Sequence, residues 1–268
     1  MNMTLEVLFL SSLQTKEEFS KSKYLQTISP KELSLRRQGI NTRIDLMQLY
    51  YNSVMEFSFK EKQRLEPIIK EALKRLENYF ANVSSFLLQN GLLRVAKVEG
   101  SLDWNFPYTI NKTIIIPQKI MITNSDEELI NTFVHEMIHL HQKSQPYFYE
   151  EIYKNNFGFE KINSEKVIIT SNYEKLLITN PDGMIREWII QLYDGLYLPA
   201  LLLINKKHYS CLFRLKQSSN DGYYLAEEDP IIAHNRSDYI DMIQGCKQQI
   251  DHPNEIIACV ITSNILKK

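Results

Sequence analysis

Residues 135–139 read His135-Glu136-Met137-Ile138-His139. Two histidines four positions apart on a helix project from the same side, so both imidazoles can ligate one metal ion. The glutamate next to the first histidine then points beside the metal, where it can take a proton from a water. The chemistry such a pattern serves is metal-assisted hydrolysis. His135 and His139 are therefore candidate metal ligands, and Glu136 is the candidate general base. The competing reading is two buried histidines hydrogen-bonded to carbonyls.

The helix that must carry this string runs from about Asp126 to Lys143. At about 100° per residue, His135, His139, Glu128, Asn131, Thr132 and Gln142 share one narrow polar face. Leu129, Ile130, Phe133, Met137 and Leu140 cover the opposite face. Such a helix, apolar most of the way round, is expected to be buried with its polar stripe toward a cavity. His141 points roughly away from His139 and reads as structural.

Two histidines do not complete a catalytic zinc site, which takes three protein ligands and an open position for water. The third candidate is Glu255, in Asp251-His252-Pro253-Asn254-Glu255-Ile256-Ile257-Ala258. Pro253 suits the first position of a helix, and Ile256, Ile257, Val260, Ile261 and Ile265 form its apolar stripe. Glu255 shares its face with Ala258, Cys259 and Thr262, small residues that leave room for an ion. With His252 as N-cap, however, Glu255 also falls where a glutamate reaches back to the cap backbone, favoured by the helix dipole. Spacing alone leaves the two readings level.

Around these helices the chain changes texture. Residues 1–90 read as a helical region. One helical stretch follows Ser29-Pro30 to about Val54. A second, from about Phe59 to Phe80, carries Leu65, Ile68, Ile69, Leu73, Leu76 and Phe80 on one stripe. From residue 91 onward short strands are expected at Leu93–Val98 and Thr113–Ile116. A strand-rich insert, about residues 160–228, follows the active helix. It has strands at Val167–Ile169, Trp188–Tyr193, Leu198–Ile204 and Tyr209–Leu215, with breaks at Asp182-Gly183, Asp194-Gly195 and Asp221-Gly222. Helices near Ser237–Gly245 and Pro253–Leu266 close the chain.

His135-Glu136-x-x-His139 with a downstream Asn254-Glu255 resembles the gluzincin branch of zinc metallopeptidases, the thermolysin-like arrangement. More of the chain, from about Phe106 to Ile265, is similar to poorly characterised zincin-like proteins, several encoded by large DNA viruses. The matching stretches include Phe106-Pro107-Tyr108-Thr109 leading into Thr113 to Pro117, Leu129 to Glu136, and His139 to Lys143. Phe157-Gly158-Phe159, Asn180-Pro181-Asp182-Gly183 with Trp188, and His252 to Ala258 complete them. The resemblance implies an α+β, zincin-like metallopeptidase fold in which 91–268 is the catalytic domain. It also implies one zinc ion per chain on His135, His139 and Glu255, and a peptide or protein substrate. By the same resemblance Thr113 to Ile116 would be the edge strand along which an extended peptide pairs. Tyr239, in the helix before Glu255, is the expected oxyanion donor, with Tyr108 and His234 as rivals.

Two features depart from the pattern. Cys259 stands where an aspartate four residues after the glutamate would orient a histidine. The insert makes the path from His139 to Glu255 unusually long. Both motivate the alternative of a zincin-like binding or structural protein without turnover. A deformylase would need a cysteine upstream of His135, and none precedes it.

Composition narrows the remainder. A net charge of −1 with 44% hydrophobic residues describes a folded chain with no basic stripe, so nucleic acid is not an expected partner. The longest apolar run, Leu196 to Ile204, contains Pro199 and is far shorter than the about 20 residues of a spanning helix. Glu6 interrupts the apolar Leu5–Leu10 patch and no lysine or arginine precedes it, unlike a secretory signal. The three cysteines are too scattered for a disulfide framework. The expected setting is intracellular and reducing, away from membranes. Nothing in the sequence fixes an oligomeric state.

Overall fold

The N-terminal helices are set by their caps. In the computed structural model, which describes residues 6–37, 39–89, 91–169, 171–218, 224–226, 229–246 and 249–267, β1 (Glu6–Phe9) leads into four short helices. These are α1 (Ser12–Ser20), α2 (Lys23–Thr27), α3 (Pro30–Arg36) and α4 (Arg43–Ser53). Ser11, Ser22, Ser29 and Thr42 each accept a first-turn N–H through the side-chain hydroxyl. The single helical stretch expected from Ser29 to Val54 is therefore two helices. The chain leaves α3 extended at Arg37, and Thr42 with Asp45 opens a new helix through a capping box.

After β2 (Val54–Met55), α5 (Phe59–Glu77) starts at Ser58 in a capping box with Glu61. It buries Leu65, Ile68, Ile69, Leu73 and Leu76 of the predicted stripe but ends at Glu77, short of Phe80, which is half-buried. Then come α6 (Ser84–Leu87), β3 (Leu92–Val98), β4 (Tyr108–Ile110), β5 (Thr113–Pro117), α7 (Gln118–Thr123) and α8 (Asp126–Ser144). The strands form a mixed sheet in the order β1-β3-β5-β4. β3 is parallel to β1 and β5, β4 returns antiparallel to β5, and β2 pairs antiparallel with one end of β3. Ala96 sits opposite Ile115, and Ile115 opposite Tyr108.

This order corrects one expectation. Thr113–Ile116 is an inner strand, buried throughout and flanked by β3 and β4. The edge is β4, because the chain arrives along Tyr108–Ile110 and turns back at Asn111, in the left-handed region at φ 49°. The boundary expected at residue 90 does not separate compact units either. β1 pairs with β3, so both sides of that position share one sheet. The described chain instead divides into residues 1–145 with 261–268, and residues 146–260.

In the first unit a buried ion network ties α2, α3 and α4 to Asp103. Arg36 Nη2 donates to Glu32 Oε1 (2.6 Å) and Nη1 to Asp103 Oδ1 (3.0 Å), while the Tyr24 and Tyr50 hydroxyls donate to the same Asp103 oxygen. Burial without these partners would cost several kcal/mol per charge, so the network is all or nothing.

The second unit contains α9 (Pro146–Phe157), β6 (Phe159–Lys161), β7 (Val167–Ile168) and α10 (Ser171–Glu174). They are followed by β8 (Trp188–Leu192), β9 (Gly195–Ile204), β10 (Lys207–Gln217), β11 (Tyr224–Ala226) and β12 (Ile231–Ile232). The helices α11 (Ser237–Met242) and α12 (Pro253–Leu266) end the chain. The sheet order is β6-β8-β9-β10-β11-β7, with β12 also on β10. Asn205 and Lys206, at φ 50° and 64°, make the turn of the β9–β10 hairpin, which matches the right-handed strand twist. Pro199 is tolerated inside β9 because the β8 pairing ends at Tyr197, leaving its missing N–H on an unpaired side of the strand. Leu198, Ala200, Leu202, Cys211, Phe213 and Leu215 bury one hairpin face. The expected Asp221-Gly222 break lies outside the described residues.

The architecture is mixed α and β, as the element pattern predicts. Cysteine usage differs from expectation, since Cys246 and Cys259 are paired as a disulfide and Cys211 is free and buried. Sequence spacing gave no sign of it, because the partners are brought together by the return from α11 into α12. Among the described residues no helix is long and apolar enough to cross a membrane.

Candidate metal centre

The histidines are placed by α8, and α8 is fixed at its start. Ser125 Oγ accepts the Glu128 N–H, and Glu128 Oε2 accepts the Ser125 N–H at 2.7 Å. Arg64, on α5, spans the entry. Its guanidinium donates to the carbonyls of Met121 (2.7 Å) and Asn124 (2.9 Å) and to Asp126 (2.9 Å). Beyond this start, Leu129, Phe133, Val134, Met137 and Ile138 are fully buried.

Within that helix Glu136 and His139 are 3% and 1% exposed, and His135 is half-buried. His139 Nδ1 lies 2.7 Å from Gln142 Oε1. A carbonyl oxygen only accepts, so Nδ1 carries a proton, and in the neutral ring Nε2 keeps its lone pair. That lone pair faces His135 Nε2 at 3.0 Å. Two imidazole nitrogens at about 2.0–2.1 Å from a tetrahedral ion would stand about 3.3 Å apart, so the pair is nearly set for one. His141 is buried elsewhere, its ring against Phe80 and Phe86. Burial lowers its pKa and holds it neutral, the structural role its helix position predicts.

Glu255 opens α12. The helix begins at His252, whose carbonyl accepts the Ile256 N–H at 3.2 Å and whose ring Nδ1 accepts the Asn254 N–H at 3.1 Å. The His252 ring thus caps the Asn254 N–H, a different group from the N-cap N–H that a glutamate at this position often serves. Glu255 is 4% exposed, and its Oε1 accepts from Asn180 Nδ2 at 3.0 Å. Asp251, fully buried one turn earlier, accepts from Ser210 Oγ at 3.3 Å. Burial, and next the charge of Glu255, raise the Asp251 carboxyl to about 7.

His135, His139 and Glu255 each offer one ligand atom, and the three atoms lie within 4.8 Å of one another. Two imidazole nitrogens and a carboxylate oxygen are a donor set that suits zinc. Such a cluster can hold a divalent ion.

The remaining predicted residues are placed as follows. Tyr239 is fully buried, and its hydroxyl donates to the Ile250 carbonyl at 2.7 Å, so that hydrogen is committed to the backbone leading to Asp251. Tyr108 is buried on β4. His234 lies in the turn before α11. Cys259, where an aspartate was expected, is engaged with Cys246. Sequence reasoning did not find Asn180, Ser210 or Asp251 as partners of the glutamate side. Only the Asn180-Pro181-Asp182-Gly183 turn, a strong chain-reversal signal, pointed at one of them.

No protein family, no curated protein and no solved structure matches the chain.

Proposed function

We propose that the chain is a zinc-dependent metallopeptidase of the gluzincin type, with His135, His139 and Glu255 as ligands. The convergence of those three ligand atoms within 4.8 Å carries the proposal. When bound, zinc lowers the pKa of a water to about 7 and polarises a carbonyl. The chain's own residues do the rest. Glu136, buried beside His135, takes a proton from the attacking water and returns it to the departing amine. Gln142 holds His139 as the Nδ1–H tautomer and keeps Nε2 for the ion.

Cys259, in disulfide contact with Cys246, favours a second reading, a metal-binding scaffold without turnover. One experiment separates the two. Purified protein is expected to carry about one zinc per chain and to cleave members of a diverse peptide library. Glu136→Gln is expected to keep the metal and lose at least about 100-fold in hydrolysis. Full activity in that variant removes Glu136 as the base. Bound zinc without cleavage by the unaltered protein selects the scaffold reading.

A further inference from the structure

We infer that Asn180 is the positioning residue for Glu255, its side-chain amide setting the carboxylate for the metal; the inference rests on the proposed zinc site. The orientation of that amide is fixed by chemistry. Asn180 Oδ1 accepts the Asp182 N–H at 2.9 Å, closing a side-chain turn over Pro181. The oxygen being committed to a donor, Nδ2 must face the other way. It donates to Glu255 Oε1 at 3.0 Å and to Gln249 Oε1 at 3.2 Å, with Asp251 Oδ2 at the 3.5 Å limit. Of these acceptors Glu255 is nearest.

The turn is held on the glutamate segment independently of that bond. Asn254 Nδ2 donates to the Asp182 carbonyl, and Tyr153 Oη donates to Asn254 Oδ1 at 2.6 Å. Gly183 lies so close to His252 that an added Cβ would stand 2.5 Å from the imidazole Cγ, with its Cβ at 2.8 Å. Only glycine lets the turn approach this far. Asn180 is 5% exposed, so its hydrogen bond to Glu255 is shielded from water. A ligating carboxylate held by a buried donor through one oxygen loses less freedom on binding, and such supports affect metal affinity about 10–100-fold.

Zn²⁺ affinity, measured by competition with a chromophoric chelator, and the visible spectrum of the Co²⁺-loaded protein test this. Asn180→Ala is expected to weaken Zn²⁺ about 10–100-fold and to alter the Co²⁺ bands. Asn180→Asp keeps the size and the acceptor for Asp182 N–H but replaces the donor toward Glu255. It is expected to weaken Zn²⁺ at least as much, increasingly so as pH rises and the new carboxyl ionises. Wild-type affinity and spectrum in both variants overturn the inference and leave the zinc reading standing. Loss of fold in both also overturns it, making Asn180 a turn residue alone. An unaltered protein that binds neither metal overturns the zinc reading and this inference together.

Discussion

The histidine and glutamate parts of the candidate centre are built on different principles. His139 takes its orientation from Gln142, three residues later on the same helix. Glu255 takes its partner from Asn180, 75 residues earlier in the chain. The first support comes with helix geometry, since residues three apart share a face. The second depends on the turn at Asn180 being packed against the start of α12. The histidine pair is thus preset by secondary structure, and the glutamate by the tertiary structure of its unit. The sharpest way to break this comparison is to remove each ligand. His139→Ala and Glu255→Ala are each expected to weaken Zn²⁺ by about 100- to 1,000-fold, the share of one ligand in a zinc site. Chelator competition measures both. An unchanged affinity in Glu255→Ala would falsify the tertiary half of the centre and leave only a histidine pair.

The glutamate side carries an electrostatic cost at Asp251. Asp251 is fully buried and ionises only at about 7, chiefly through burial and then through the charge of Glu255. In the unfolded chain an aspartate ionises near about 3.9. Between those values the folded protein holds a proton that the unfolded chain has released, so its stability is complete below about pH 4 and falls as pH rises toward 7. Asp251→Asn removes the titration. With chelator present, the variant is expected to unfold like the parent at pH 4 and to be more stable at pH 8 by on the order of 4 kcal/mol. Parallel stability curves for the two proteins across that range would sink the assignment.

How much of this was legible in the sequence follows the same division. The α8 helix from about Asp126, its buried face and the two histidines with Glu136 follow from local spacing, because a helix fixes neighbours by periodicity alone. Glu255 could be named but not decided, since one spacing served both a cap and a ligand. The His252 ring caps the Asn254 N–H beside it, a contact no periodicity encodes. The identity of the sheet edge went to the wrong strand. Thr113–Ile116 has the stronger β-branched run, but that run marks a strand buried on both sides, and the shorter Tyr108–Ile110 takes the edge. The Cys246–Cys259 pair was invisible because a contact across a chain reversal leaves no local trace.

The smallest expected effect sharpens the comparison most, because it turns on the direction of one hydrogen bond. At Gln142 the amide accepts from His139 Nδ1, whereas at Asn180 the amide donates to Glu255. Converting each amide to a carboxylate should therefore act in opposite senses. Gln142→Glu keeps an acceptor for Nδ1–H and adds charge that makes the imidazole a better ligand, so Zn²⁺ affinity is expected to hold or rise. Gln142→Ala frees the tautomer and is expected to lose about 10-fold, the low end for a supporting partner, since the helix still aims the ring. Asn180→Asp, by contrast, loses its donor. Measured side by side at pH 8, equal losses in Gln142→Glu and Asn180→Asp would mean that added negative charge alone weakens the site. Retention in the first with loss in the second means that the direction of each hydrogen bond sets the affinity.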